Sequence, residues 1–134
     1  MRILVIDGQG GKMGKALVEQ LKAAAPEHEI IAIGTNSIAT AAMLKAGADA
    51  GATGENAVIV NSAEADVIVG PLGIISANAL LGEITPAMAA AVASARCRRI
   101  LLPVSKCNNV VVGVQPMSFA EYVRQAVRQI LQEA

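Results

Sequence analysis

A chain of 134 residues with 11 Lys and Arg against 11 Asp and Glu is sized for a single domain, 1–134, and has no basic excess for nucleic acid. One Phe, one Tyr and no Trp leave few rings for base stacking, so the 54% hydrophobic content must form an aliphatic core. No apolar run approaches the roughly 18 residues that cross a membrane. Met1-Arg2 followed by the short run Ile3 to Ile6 is not a secretory signal. Cys97 and Cys107 form neither a disulfide framework nor a zinc spacing. The expectation is a cytoplasmic chain with no metal site and no membrane partner. The low charged fraction, 16%, points to a homo-oligomer.

Ile3-Leu-Val-Ile6 reads as a buried strand, and Met13 to Ala25 as a helix with Leu17, Val18 and Leu21 at helical spacing. Glu29 to Gly34 is a second strand. Ser37 to Ala46 is a second helix, capped by Asn36 or Ser37 and closed by Gly47. Residues 48–65 are ambiguous: Glu55 to Ala63 reads as a helix, with a strand at Val58-Ile-Val60 as the alternative. Val67-Ile-Val69 is a strand stopped by Gly70-Pro71. A short helix is expected from Ser76 to Leu81, and Thr85-Pro86 starts an Ala-rich helix. Arg99 to Val104 is a strand. Val110-Val-Val112 follows too closely for a parallel crossover, so it is expected to be antiparallel. Ser118-Phe-Ala-Glu121 is a capping box that opens the last helix. The alternation predicts a three-layer, doubly wound α/β domain of Rossmann type, mostly parallel, with one antiparallel strand near the C-terminus.

The richest motif is Asp7-Gly8-Gln9-Gly10-Gly11-Lys12-Met13-Gly14-Lys15, between the first strand and the first helix. Glycines allow a tight turn and close approach of backbone N–H groups, and the helix start favours an anion. The spacing is G-x-x-G-x-x-G rather than G-x-G-x-x-G. A P-loop is excluded because Ala16 follows Gly14-Lys15 where a hydroxyl is needed. Asp7 through Gly14 are therefore candidate nucleotide-binding residues. Asp7 sits where a carboxylate would repel a pyrophosphate; it could instead cap Gly10 or Gly11 N–H groups, or hold a metal or a ribose.

This loop resembles the cofactor loop of dihydrodipicolinate reductases, which implies a nicotinamide dinucleotide. The paired histidines of that family's second domain have no counterpart, since His28 is the sole histidine. Nearly the whole chain resembles a family of short bacterial Rossmann-like proteins of unknown function. The likeness rests on Val5-Ile-Asp-Gly-Gln-Gly-Gly11, Gly34-Thr-Asn-Ser-Ile-Ala-Thr40, Gly51-Ala-Thr-Gly-Glu-Asn56, Gly82-Glu-Ile-Thr-Pro86 and Lys106-Cys-Asn108. It implies a compact nucleotide-type fold and no assigned activity.

A NAD site usually carries a carboxylate roughly 20 residues past the loop, at the end of the second strand. Here that place holds Thr35-Asn36-Ser37, which favours NADP over NAD, although these residues can equally be helix caps. Ligands in open α/β sheets bind at the carboxyl ends of strands. That rule adds Gly70, Pro71 and Gly73 after one strand, and Lys106, Cys107 and Asn108 after another. Lys106 could lower the thiol pKa of Cys107 and make a catalytic nucleophile; the alternative is a buried filler. Two functions stay open. One is an NADP-linked oxidoreductase completed by oligomerisation; the other is a non-catalytic nucleotide-sensing protein.

Overall fold

The computed structural model describes residues 1–104 and 108–132. Five strands form one sheet: β1 (Arg2–Asp7), β2 (Glu29–Gly34), β3 (Ala50–Thr53), β4 (Val67–Pro71) and β5 (Arg98–Leu102). Their order is β3-β2-β1-β4-β5, and every pairing is parallel. The chain reverses its direction of progress between β1 and β4, which opens a crevice at the carboxyl ends of those two strands.

Among the described residues five helices cover the sheet: α1 (Lys12–Ala24), α2 (Ser37–Lys45), α3 (Glu55–Ser62), α4 (Pro86–Ala93) and α5 (Phe119–Gln132). Side chains alternate faces along a strand, so β1 feeds two cores. Ile3 and Val5 pack with Leu17 and Leu21 of α1, Met43 of α2, and Val123 and Ile130 of α5. Leu4 and Ile6 pack with Val58 of α3 and with Met88 and Val92 of α4. Burial on both sides explains why β1 and β4 are uninterrupted aliphatic runs. Asn36 caps α2 by accepting from Ala39 N–H at 2.9 Å. Thr85 caps α4 by accepting from Met88 N–H at 3.1 Å, with Pro86 in the first turn. Ser118 accepts from Glu121 N–H at 3.2 Å and starts α5.

The expected antiparallel strand does not form. Val110 and Val112 are almost fully exposed and lie outside the sheet. The run passes directly into a turn at Val112 and Gly113 (φ 89°), closed by Val114 N–H donating to the Val111 carbonyl at 3.4 Å. Of the two readings of residues 55–63, the helix is the one present. β3 was not anticipated; its four small residues are all exposed, and it pairs with β2 alone. The helix expected at Ser76 to Leu81 is replaced by a 3-10 turn at Leu72–Ile75 followed by a series of hydrogen-bonded turns. Asn78, Leu80 and Leu81 adopt φ of 66°, 57° and 57° there, a backbone incompatible with a helix. His28 is not open to solvent: its ring is 12% exposed and its Nδ1 lies 2.9 Å from the N-terminal amine. No helix among the described residues is long and apolar enough to cross a membrane.

Candidate functional site

The glycine loop leaves β1 at its carboxyl end and enters α1 at Lys12. Each glycine has its own local task. Gly11 is the N-cap of α1, with φ 76°, and a Cβ there would lie 2.8 Å from the Ala39 Cα of α2. Gly14 sits beneath the loop, where a Cβ would collide with the Met43 side chain. A Cβ on Gly8 would meet Thr35 Oγ1 at 2.5 Å and Glu83 Oε1 at 2.7 Å. Gly10 differs: nothing lies within 4 Å of its Cβ position, so it faces open space.

Asp7 is buried, and its carboxylate accepts from Gly8 N–H at 2.8 Å and Gly14 N–H at 2.7 Å. Met13 N–H also reaches it. The cap therefore serves Gly8, Met13 and Gly14 rather than Gly10 or Gly11. Burial raises the Asp7 pKa above the ordinary carboxylate value; the three N–H groups oppose that shift, and the nearby Glu83 charge adds to it. Asp7 thus fills the inner donors of the α1 N-terminus. The outer wall of the loop, around Gly10 and Lys12, is left to face the crevice.

A cleft of about 220 Å³ lies over this wall. Asp7, Gly8, Gln9, Gly10, Gly11, Lys12 and Met13 form one side, and Pro71, Leu80, Val104 and Phe119 form the other. The Lys12 ammonium stands 4.9 Å from the centroid of the Phe119 ring, a cation–π contact that ties the loop to the start of α5. Beside it, along β5 and α5, is a larger and mostly apolar cavity of about 600 Å³. Leu72, Leu102, Val111 and Tyr122 are among its walls.

Toward β2, Glu83 joins three chain segments. Its Oε1 accepts from Gln9 N–H at 2.8 Å, Thr35 Oγ1–H at 2.5 Å and Asn36 Nδ2–H at 3.1 Å. Asn36 also donates to the Gln9 carbonyl at 2.9 Å. Partial burial pushes the Glu83 pKa up, but these three donors outweigh it and hold the carboxyl below its usual range.

The residues singled out in the sequence separate clearly. Asp7 to Met13 and Pro71 meet in the cleft, whereas Gly14 packs below it. Thr35 and Asn36 are engaged with Glu83, and Ser37 is exposed in the first turn of α2. Gly70 and Gly73 serve packing: a Cβ on Gly70 would strike the Ile6 carbonyl, and one on Gly73 would touch Ala79 at 3.3 Å. Asn108 is exposed and lines neither cavity. Lys106 and Cys107 lie outside the described residues. Leu80, Val104 and Phe119 line the cleft without having been assigned from sequence, and Glu83 bonds to the glycine loop without lining either cavity. One expectation is reversed: the end of β2 does have a carboxylate beside it, supplied by Glu83 from the β4–α4 connection. Among the described residues no group of three or more His, Cys, Asp and Glu could hold a metal.

The fold and rim define a parallel α/β domain with a glycine-rich loop at its topological switch point. The chain belongs to the family described as Domain of unknown function (DUF3842), whose model matches residues 2–134. No curated protein matches it. Among solved structures, it is similar to a dodecameric FMN-dependent UbiX-like decarboxylase from Escherichia coli O157:H7. That similarity has a TM-score of 0.52 at 16% identity and covers 99% of this chain and 94% of the other. At that identity the likeness concerns the fold.

Proposed function

We propose that this protein binds a nucleotide carrying a flat ring, of flavin or nicotinamide type, across the carboxyl ends of β2, β1, β4 and β5. The observation that carries this reading is the continuity of the rim. The Glu83 carboxylate bonded to Thr35 beside β2, the open side of the glycine loop at Gly10, and an apolar cavity of about 600 Å³ against β5 all lie at the carboxyl ends of the strands. Phosphate oxygens would accept from the Gly10 and Lys12 backbone and from the Lys12 ammonium. The ring would enter the cavity between Leu72 and Tyr122. Cavities of roughly 300–1,000 Å³ hold ligands of this size. The similar decarboxylase is FMN-dependent, which supports including a flavin mononucleotide among the candidates. NADP, the expectation from sequence, is disfavoured because Glu83 occupies the position where a 2′-phosphate would fall.

The test is a thermal-shift panel with FMN, FAD, NAD, NADP and ATP. A ligand at 100 times its Kd adds about 2.7 kcal/mol of stability. For a chain of this size that is a rise of several degrees in Tm. A flat response to every nucleotide overturns the proposal.

Self-association accompanies this reading. Val110 and Val112 are 86% and 94% exposed, near Leu72 and Ile75 of the segment after β4, and the similar decarboxylase is a dodecamer. Contiguous exposed apolar surface is where self-association is expected first. Val110→Asp with Val112→Asp is expected to lower the mass seen by light scattering without lowering Tm of the monomeric fold. An unchanged mass would place the interface elsewhere.

A further inference from the structure

We propose that Glu83 is the specificity-determining residue of the rim: it accepts ribose hydroxyls and rejects a 2′-phosphate, so the site selects nucleotides with a free 2′,3′-diol. This inference rests on the nucleotide-binding reading above and names the sugar chemistry that the reading leaves open.

In doubly wound folds the sugar next to the glycine loop lies over the end of the second strand, and a carboxylate there accepts its hydroxyls. In this chain the strand itself ends at Gly34 and is followed by Thr35-Asn36, with no acid. The carboxylate arrives from elsewhere. The connection after β4 turns through left-handed backbone at Leu80, Leu81 and Gly82 and delivers Glu83 to the same spot. Strained backbone of this kind persists when something holds it in place. Here Leu80 is buried against the core, and Glu83 is bonded to the glycine loop and to the end of β2.

Two features favour hydroxyl recognition over a purely structural tie. First, all three bonds fall on Oε1, and no bond to Oε2 is seen among the described residues. A carboxylate has about four lone-pair sites, and the second oxygen retains its own. Second, every donor to Glu83 is neutral: a backbone N–H, a hydroxyl and an amide. The carboxylate keeps its full negative charge, with no Lys or Arg paired to it among the described residues. A diol donates to such a group, whereas a phosphate in the same place meets a like charge.

The experiment compares NAD and NADP by isothermal titration against wild type and Glu83→Gln. Gln retains an acceptor for Gln9 and Thr35 and removes the charge, so the loop tie survives. Wild type is expected to bind NAD more tightly than NADP by on the order of tenfold or more, since like charges juxtaposed in a site are strongly discriminating. In Glu83→Gln the ratio is expected to fall to within about threefold, chiefly through a gain for NADP. The wild-type comparison stands by itself should the variant prove unstable. Equal affinities in wild type, a preference for NADP, or a ratio unchanged in a folded Glu83→Gln each overturn the role of Glu83. Binding of FMN with neither NAD nor NADP overturns it too, and leaves the nucleotide-binding reading intact. Absence of binding by any nucleotide overturns both.

Discussion

Gly11→Val is expected to lose about 2–5 kcal/mol of stability, whereas Gly10→Val is expected to lose almost none. The two positions are neighbours, so the contrast is a demanding one. Gly11 has φ 76°, where a β-branched residue is strained, and its Cβ would lie 2.8 Å from a backbone atom of α2 and 3.2 Å from Ala42 Cβ. Backbone cannot rotate away as a side chain can, so α1 and α2 must separate. Both carry core residues, Leu17 and Met43, which would be pulled from their shared cluster. The fall in Tm should be roughly 10 °C or more. Gly10 has no neighbour within 4 Å of its Cβ position and no left-handed φ. A valine there projects from the loop and should change unfolding free energy by no more than about 0.5 kcal/mol, as at other unencumbered surface sites. Urea unfolding of the two variants measures both values. Equal losses would mean that the loop glycines share one structural role.

Asp7→Ala is the second large effect, with an expected loss of about 1–3 kcal/mol, the cost of leaving buried donors unmet. α1 has no side-chain cap at Gly11 and no acid in its first turn. Asp7 reaches in from β1 and satisfies Gly8, Met13 and Gly14 instead. Removing it leaves these N–H groups buried without an acceptor. Its titration gives a further handle. Burial raises the folded-state pKa above the unfolded value. The stabilisation linked to that proton is therefore complete below the ordinary carboxylate pKa and is lost as pH rises through the raised folded value. Asp7→Asn, which resembles the protonated acid, provides the reference. Relative to it, wild type should be most stable in acid and should fall behind as pH rises through the raised folded-state value. A gap that moves the opposite way with pH would show that the N–H donors, not burial, govern this carboxylate. Glu83 titrates with the opposite sign: its folded pKa is lowered, so its contribution is present above the unfolded value and lost as pH falls.

Sequence alone disclosed the parts of the molecule whose burial and spacing are local. β1 and β4 are buried on both faces and so are unbroken aliphatic runs. α5 shows its stripe, Val123, Val127 and Ile130, because one side packs and the other is wet. β3 left no such trace, since Ala50-Gly-Ala-Thr53 lies exposed at the sheet edge and pairs with one neighbour. Val110-Val-Val112 carried strong β-propensity, but the run ends in a turn at Val112–Gly113 and joins no neighbouring strand. Leu80 and Leu81 suggested a helix, yet they turn left-handed to carry the chain back over the glycine loop.

The site was legible to the same degree. Gly8 to Met13 and Pro71 line one cleft at the strand ends, the place to which the strand-end rule points. Glycine, however, has two uses that look alike in sequence. Gly10 opens onto the cleft, whereas Gly14, Gly70 and Gly73 have no Cβ because a neighbouring atom already fills its place. Glu83 and Phe119 belong to the rim through the return of distant segments, 76 and 112 residues being the approximate separations from β1 that no local pattern spans. The end of β2 therefore looked free of acid when it is not.

The most direct measurement is the nucleotide-induced Tm shift of wild type set beside that of Gly10→Val. Wild type is expected to rise by several degrees with at least one of FMN, FAD or NAD, and Gly10→Val, folded and equally stable alone, is expected not to respond. A full shift in Gly10→Val would contradict binding on the glycine wall, and no shift in wild type with any nucleotide would contradict binding altogether.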